Sequence, residues 1–307
     1  MSRARRRRSK RRARSGPVTG EPRLDLHLHS TSSDGKYAPS QVLETAAARG
    51  LHAIAITDHD VPPELPSGPH TFGARTIRLI HAAEVSATYD GIEFHLLAYF
   101  PGEMPEAFRS FLIGRARARA DRYDAAATAL GLPLADDQAR AGKRALTRYH
   151  LAQALVAHGK CGSIHAAFMG PLTSREALVP PIELTVEDAL DTMNAHGAIS
   201  VWAHPFPNQA PKYAPIFAEL GLHGLEAYRP AAPLTLRASI ARQAIELGLV
   251  VTGGSDWHGW RGRLGSFRMR ASEVGAFLDA LDASPPAPHL SGRAGVDPPG
   301  PQAVDSF

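Results

Sequence analysis

The chain has a single cysteine, Cys161, in 307 residues. One thiol excludes an internal disulfide framework and a thiolate metal cluster, and it suits a reducing cytoplasm. Any metal must therefore be held by imidazole and carboxylate, and 15 histidines supply the former. No apolar run is long enough to span a bilayer, so no membrane association is expected. Acids are missing from the first twenty residues, which carry Arg3, Arg5, Arg6, Arg7, Arg8, Lys10, Arg11, Arg12 and Arg14. Such a block repels itself, so residues 1–20 are expected to form a disordered basic tail. No apolar segment of the secretory type follows it. Its functional reading is non-specific electrostatic contact with RNA or DNA; a solubilising leader or a mis-assigned start is the alternative. Beyond the tail, 25 Lys and Arg face 30 Asp and Glu, so the pI near 9.4 belongs to the tail. Residues 284–307, rich in Pro, Gly and Ala, read as a second disordered tail.

What is present is a pattern of polar groups at strand ends. Leucines alternate with polar residues through Leu24-Asp25-Leu26-His27-Leu28-His29, a strand period. One face is expected to bury Leu24, Leu26 and Leu28, and the other to aim Asp25, His27 and His29 at a common point. Imidazoles at i and i+2 on a strand lie about 6–7 Å apart at the backbone, close enough to share one ion. Pro39 marks a helix start, with Val42, Leu43, Ala46 and Ala47 as its apolar stripe and Gly50 at its end. Short apolar runs at 53–56, 77–80, 92–99, 198–202, 224–228 and 249–252 read as further strands. Thr185 and Asp188 read as a capped helix start. Strand and helix alternate over 21–100 and again over 182–283, which argues for an α/β parallel barrel or wound sheet. Residues 101–181 read as an inserted helical subdomain, with Arg115, Arg117, Arg119 and Arg122 as a solvated face. Most candidate ligands fall at the C-terminal ends of the strands, where barrels of this kind assemble their chemistry; His95 alone is expected inside its strand.

These residues carry a family resemblance. His27-Leu28-His29, Thr57-Asp58-His59, Glu84-Val85-Ser86, Ala203-His204-Pro205 and Ser255-Asp256-Trp257-His258 resemble the ordered motifs of the PHP (polymerase and histidinol phosphatase) family. Thr147-Arg148-Tyr149-His150-Leu151-Ala152 and Val179-Pro180 resemble the insert of its nucleoside 3′,5′-bisphosphate phosphatases and 5′-3′ oligoribonucleases. The resemblance implies a distorted (β/α)7 barrel with three divalent ions. The first would take His27, His29, Glu84 and Asp256. The second would share Glu84 and add His95 and His204. The third would take Asp34, His59 and His258. The mixed donor set suits manganese, the ion the resemblance favours, or iron or zinc, better than calcium or magnesium. Loading would turn an acidic pocket into an anion site.

The implied activity is metal-dependent hydrolysis of nucleotide phosphate esters by a metal-bridging hydroxide, with His27, His29, Glu84 and Asp256 as the catalytic set. Its substrate would be a nucleoside 3′,5′-bisphosphate losing its 3′-phosphate, or short RNA trimmed from its 5′ end. Arg148 and His150 are the candidates for gripping the substrate. Asp25, Asp58 and Asp60 are candidates for orienting the imidazoles, with strand-end capping as the alternative. Histidinol-phosphate phosphatase is the competing enzyme reading. A nucleic-acid-binding protein with a vestigial barrel is the reading from another class.

Overall fold

The computed structural model describes residues 20–173, 178–230 and 232–283. Both tails expected from the sequence lie outside these residues, save for Gly20. The chain begins with β1 (Arg23–Leu28), α1 (Pro39–Ala48), β2 (Ala53–Ile56), β3 (Gly68–Phe72), β4 (Arg75–Tyr89) and β5 (Ile92–Tyr99). Helices α2 (Glu106–Leu130), α3 (Asp137–Arg140), α4 (Arg148–Ala157) and α5 (Ile164–Met169) follow without a described strand among them. Then come α6 (Val186–Ala195), β6 (Ile199–Trp202), α7 (Ala210–Glu219), β7 (Gly224–Tyr228), α8 (Leu234–Glu246) and β8 (Val250–Gly253). β9 (Met269–Arg270), a 3-10 turn and α9 (Gly275–Asp282) complete the described chain.

The strands join in one sheet in the order β8-β7-β6-β5-β4-β2-β1-β9, with β3 on the flank of β4. The sheet curls until the segment after β8 meets β1. Asp256 N–H donates to the His27 carbonyl at 2.9 Å, and His29 N–H donates to the Trp257 carbonyl at 3.0 Å. The result is a nearly closed barrel, as expected, but it is not all-parallel. β5 runs antiparallel to both β4 and β6. The cause is local: Asp90 and Gly91, with φ of 52° and 73°, form a two-residue turn that folds β5 straight back on β4. β4 changes partner along its 15 residues. It pairs with β2 as far as His81 and with β5 from Ala82 onward. Glu84 consequently lies inside a strand rather than at its end, as does His27.

Strand alternation sorts the side chains into layers. Ile80 and Ala82 of β4, Leu97 and Tyr99 of β5, and Ile199 and Val201 of β6 share one core with Phe277 of α9. Phe277 meets the Tyr99 ring at 4.9 Å, and full burial of such a ring contributes about 1.5–3 kcal/mol. Glu84 and His95 continue the same parity, so they stand on the same sheet face as that core. The opposite face of β4–β7 packs on α2, α6 and α7 through Leu96, Trp202, Phe108, Leu190 and Phe217. The three β1 leucines do not share a face as expected. Leu24 and Leu26 belong to the first core, whereas Leu28 packs against α1 with Ile54 and Val42. A register shift between Asp25 and Leu28 reverses the alternation there, and it lets His27 face inward beside Leu26.

Gly254 makes that inward turn possible. A Cβ at this position would sit 2.2 Å from the His27 Cβ and 2.4 Å from its backbone nitrogen. Gly254→Ala is expected to destabilise the fold by about 1–3 kcal/mol through overpacking. A urea midpoint unchanged from the parent would contradict this close approach.

Candidate metal centre

Glu84 is the hub of the site. Its carboxylate is buried and lies within 3.1 Å of His27 Nε2, His29 Nε2, His95 Nδ1 and His204 Nε2. His59 Nδ1 stands 3.4 Å away, buried and without a hydrogen bond. Asp256 Oδ1 lies 3.5 Å from His27 Nε2 and 3.3 Å from His29 Nε2. Asp34 lies 3.2 Å from His258 Nε2 and 3.8 Å from His59 Nε2. The chain thus brings together all nine side chains singled out as ligands. Seven of them form three overlapping groups whose donor atoms lie within 4.8 Å of one another: His29, Asp34, His59, His258; His27, His29, Glu84; and His59, Glu84, His95. His204 and Asp256 stand beside these groups, against Glu84 and against His27 and His29. His29 and His59 each fall in two groups, where the motif-based assignment gave each a single ion.

The donor chemistry fits divalent cations. His27 Nε2 and His29 Nε2 face each other at 3.2 Å; two like ring nitrogens at that distance need a proton or a cation between them. Burial favours neutral His29, but Asp256 and Glu84 accept from it and push it up to about 10. Burial opposes charge on His95 as well, and Glu84 and Glu93 push it up to about 9. His59 responds the other way: burial outweighs Glu84 and Asp34 and pulls it down to about 3. Burial would raise Glu84, but the imidazoles of His59, His27 and His95 hold it well below the usual carboxylate range. Oppositely charged groups packed this closely are what a cation site offers before loading.

Backbone strain holds the groups in place. Asp60, His204 and Asp256 adopt φ of 46°, 38° and 53°, a left-handed conformation uncommon for residues other than glycine. Each such turn donates its own N–H into the structure: Asp60 to the Glu84 carbonyl, His204 to Glu226, Asp256 to the His27 carbonyl. Gly35 lets the loop after β1 double back, since a Cβ there would lie 2.6 Å from the His29 carbonyl carbon.

The orienting groups differ from those expected. Asp25 accepts from Ser255 N–H at 2.7 Å, Asp58 from Ser30 N–H at 2.8 Å, and Asp60 from Ser86 N–H at 3.1 Å. None of the three hydrogen-bonds an imidazole; Asp58 acts at one remove, through Ser33, whose Oγ is 3.4 Å from His29 Nδ1. Glu226, which sequence reasoning missed, does so directly. Its Oε1 is 3.0 Å from His27 Nδ1, and its Oε2 accepts from His204 N–H at 2.8 Å. An Nδ1–H donated to Glu226 leaves the Nε2 lone pair facing Glu84 and Asp256. The available signal was an acid inside the apolar strand Gly224-Leu225-Glu226-Ala227-Tyr228. Glu226→Ala is expected to weaken metal affinity about 10–100-fold while leaving every proposed ligand in the sequence. Calorimetric titration would measure it; parent-like affinity would remove Glu226 from the site.

A cavity of about 340 Å3 adjoins the cluster, lined among others by Arg119, Arg122, Arg148, Tyr149 and Trp260. The arginines of α2 are not the solvated face expected. Arg115, Arg119 and Arg122 fall at i, i+4 and i+7, one helical stripe, and it is turned inward. Arg119 is 6% exposed and binds Asp60 through Nε at 2.6 Å and Ser86 Oγ through its terminal nitrogen at 2.7 Å. Arg117 alone of the four is exposed. Arg148 lines the cavity, whereas His150 is not among its lining side chains. His150 instead caps α4: its Nδ1 accepts from Thr147 N–H at 3.0 Å, and Thr147 Oγ1 donates to Asp34 at 3.0 Å. Burial keeps His150 neutral, down to about 4.

Comparisons with known proteins identify the family. The PHP domain model matches residues 25–172. A phosphoribosyl 1,2-cyclic phosphate 1,2-diphosphodiesterase of Eggerthella lenta is 30% identical over 78% of this chain and 95% of its own length. A 5′-3′ exoribonuclease of Haemophilus influenzae is 28% identical, covering 85% and 96%. A 3′,5′-nucleoside bisphosphate phosphatase of Chromobacterium violaceum is 28% identical, covering 76% and 87%. In fold, a metal-dependent phosphoesterase structure from Bifidobacterium adolescentis matches with TM-score 0.66 at 24% identity, covering 88% of this chain and 98% of that one. With its motifs gathered around Glu84 and these relatives matched nearly end to end, the chain belongs to the PHP domain family of phosphoesterases.

Proposed function

We propose that this phosphoesterase acts on nucleotides, removing the 3′-phosphate of nucleoside 3′,5′-bisphosphates and trimming short RNA from its 5′ end. The observation that carries this reading is the cavity beside the donor cluster, with Arg122 and Arg148 in its wall and the rings of Tyr149 and Trp260 at its side. Arg119 is already committed to Asp60 and Ser86. Arg148 makes no side-chain hydrogen bond or ion pair among the described residues; its charge acts on Glu93 in the same wall, but its fork is not bonded to it, which leaves its donors for a second phosphate. Tyr149 and Trp260 offer faces on which a base can lie. The helices of residues 101–181 would then choose the substrate, and the barrel would perform the hydrolysis.

His27, His29, Asp34, His59, Glu84, His95, His204, Asp256 and His258 would hold three divalent ions; the mixed imidazole and carboxylate set suits manganese, iron or zinc, and the family resemblance favours manganese. When bound, such ions supply positive charge for the phosphoryl oxygens and make water a stronger nucleophile near neutral pH. The chain's own part is positioning. Glu226 fixes the His27 ring, Glu93 lies 3.3 Å from His95 Nε2, and Thr147 ties α4 to Asp34. The lone cysteine supports a cytoplasmic setting; no helix among the described residues is long and apolar enough to cross a membrane. The nucleic-acid contact expected of residues 1–20 falls outside the described residues.

The test is phosphate release by the Mn-loaded protein from a nucleoside 3′,5′-bisphosphate, a nucleoside monophosphate, histidinol phosphate, and 5′-phosphorylated short RNA and DNA. RNA and DNA products are read by chain length. The bisphosphate and the 5′-phosphorylated RNA are expected to give the highest kcat/KM. Preference for histidinol phosphate would overturn the reading.

A further inference from the structure

The donor cluster borders a second and larger cavity, of about 700 Å3. Tyr149, His258 and Trp260 line both cavities, and the larger one also reaches Asp256. These shared side chains form a partition rather than an end wall. The partition is anchored: Trp260 Nε1–H donates to the Asp34 carbonyl at 2.8 Å, and its ring lies 5.3 Å from that of Tyr149. A substrate whose reacting phosphate sits at the cluster can therefore extend to both sides.

The chemistry of the larger cavity favours one kind of extension. Trp257, Trp260, Phe267 and Tyr149 present rings to it, and Arg261 and Arg263 present exposed guanidinium groups. Neither guanidinium has a hydrogen bond or a carboxylate partner among the described residues. Asp256, the acid in this lining, is turned toward His27 and His29. Free cations interleaved with aromatic faces make a platform for single-stranded nucleic acid, with the rings stacking bases and the arginines tracking phosphates. An uncharged apolar ligand of the same size would leave both cations unused.

We infer that this second cavity holds the part of a single-stranded oligonucleotide that lies beyond the scissile phosphate. The inference rests on the nucleotide reading above. The terminal nucleotide occupies the smaller cavity, with its 5′-phosphate toward Arg148, and the next nucleotides run past Trp260 onto Trp257, Phe267, Arg261 and Arg263. Hydrolysis breaks the bond between phosphorus and the 3′-oxygen of the terminal nucleotide. Water gives its hydroxyl to phosphorus and a proton to the departing oxygen. The shortened chain keeps a 5′-phosphate and can enter again. A nucleoside 3′,5′-bisphosphate presents the same bond with nothing beyond it, which is how one site serves both substrates.

The experiment compares kcat/KM for a 5′-phosphorylated tetranucleotide with that for a nucleoside 3′,5′-bisphosphate, using the Mn-loaded full chain and its R261A/R263A variant. Both arginines are exposed, so the variant is expected to fold. The oligonucleotide-to-bisphosphate ratio should fall about tenfold in the variant, the scale of one lost charge-assisted contact. Tetranucleotide turnover should also depend less steeply on salt in the variant than in the parent. RNA and DNA versions are run side by side, and the expected fall with either sugar supports the inference. If the parent hydrolyses the bisphosphate but neither tetranucleotide, or if the ratio is unchanged for both, the second cavity has another purpose while the nucleotide reading stands. Loss of activity on every nucleotide, with activity on another phosphate ester, would sink the nucleotide reading itself.

Discussion

Glu84→Gln is expected to lower kcat for phosphate release by about a thousandfold or more and to strip the centre of most of its metal. The substitution keeps the shape of the side chain and changes its chemistry. Four imidazole nitrogens crowd this carboxylate within 3.1 Å, and a fifth stands at 3.4 Å. A carboxylate can only accept; an amide turns two N–H donors toward rings that must offer lone pairs to a cation. One negative charge is also lost where several ligands meet, so more than one ion position should suffer. Conservative replacement at a peripheral proposed ligand, such as His258, should cost less, because its side chain is 27% exposed and its nearest carboxylates are Asp34 and Asp256. Metal analysis of the purified variant, with circular dichroism to verify folding, would decide it. Parent-like metal content together with parent-like turnover would mean that the ions are not centred on Glu84.

The parts of this site that were legible in the sequence are those written in short-range pattern. His27 and His29 announce themselves by strand spacing, and each of the other motifs follows a run apolar enough to be a buried strand. Helix starts at Pro39 and Thr185 were readable because capping is a contact between residues a few positions apart. What stayed hidden depends on pairings distant in sequence or on direction. The Asp90-Gly91 turn is a local signal for antiparallel pairing, but the alternation of strands and helices around it argued for a parallel sheet. Glu226 meets His27 across 199 positions, and its own segment marks it only as an acid inside an apolar strand, without naming the partner. The β1 register shift could not be read from the leucines, whose spacing is as regular as that of an unbroken strand. His150 reads as a substrate group because Thr147-Arg148-Tyr149-His150-Leu151-Ala152 resembles the insert of the family's nucleotide phosphatases. Its ring is consumed in capping the helix that carries Arg148.

Arg119 illustrates the cost of misreading direction, and it carries the largest stability prediction. On sequence it is one of four arginines on a polar helix; in the fold it is the bolt between α2 and the strand that bears Glu84. Arg119→Ala is expected to destabilise the protein by about 3–5 kcal/mol, because it leaves Asp60 charged and fully buried without its main partner. That is a large fraction of the roughly 5–15 kcal/mol that stabilises an ordinary domain. Ser86 would lose a donor to its hydroxyl as well, and Arg115, 3.8 Å from Asp60, is too far to replace the bond. Lysine should rescue poorly, since one ammonium cannot reproduce the fork that spans Asp60 and Ser86. The double variant R119A/D60A separates this account from simple loss of packing. Removing the stranded carboxylate should recover part of the stability, so the double variant should unfold at higher urea than R119A alone. Additive losses in the two single variants would show instead that the pair contributes no coupling, and that α2 is held to the barrel by its apolar face through Phe108, Leu112 and Ala116.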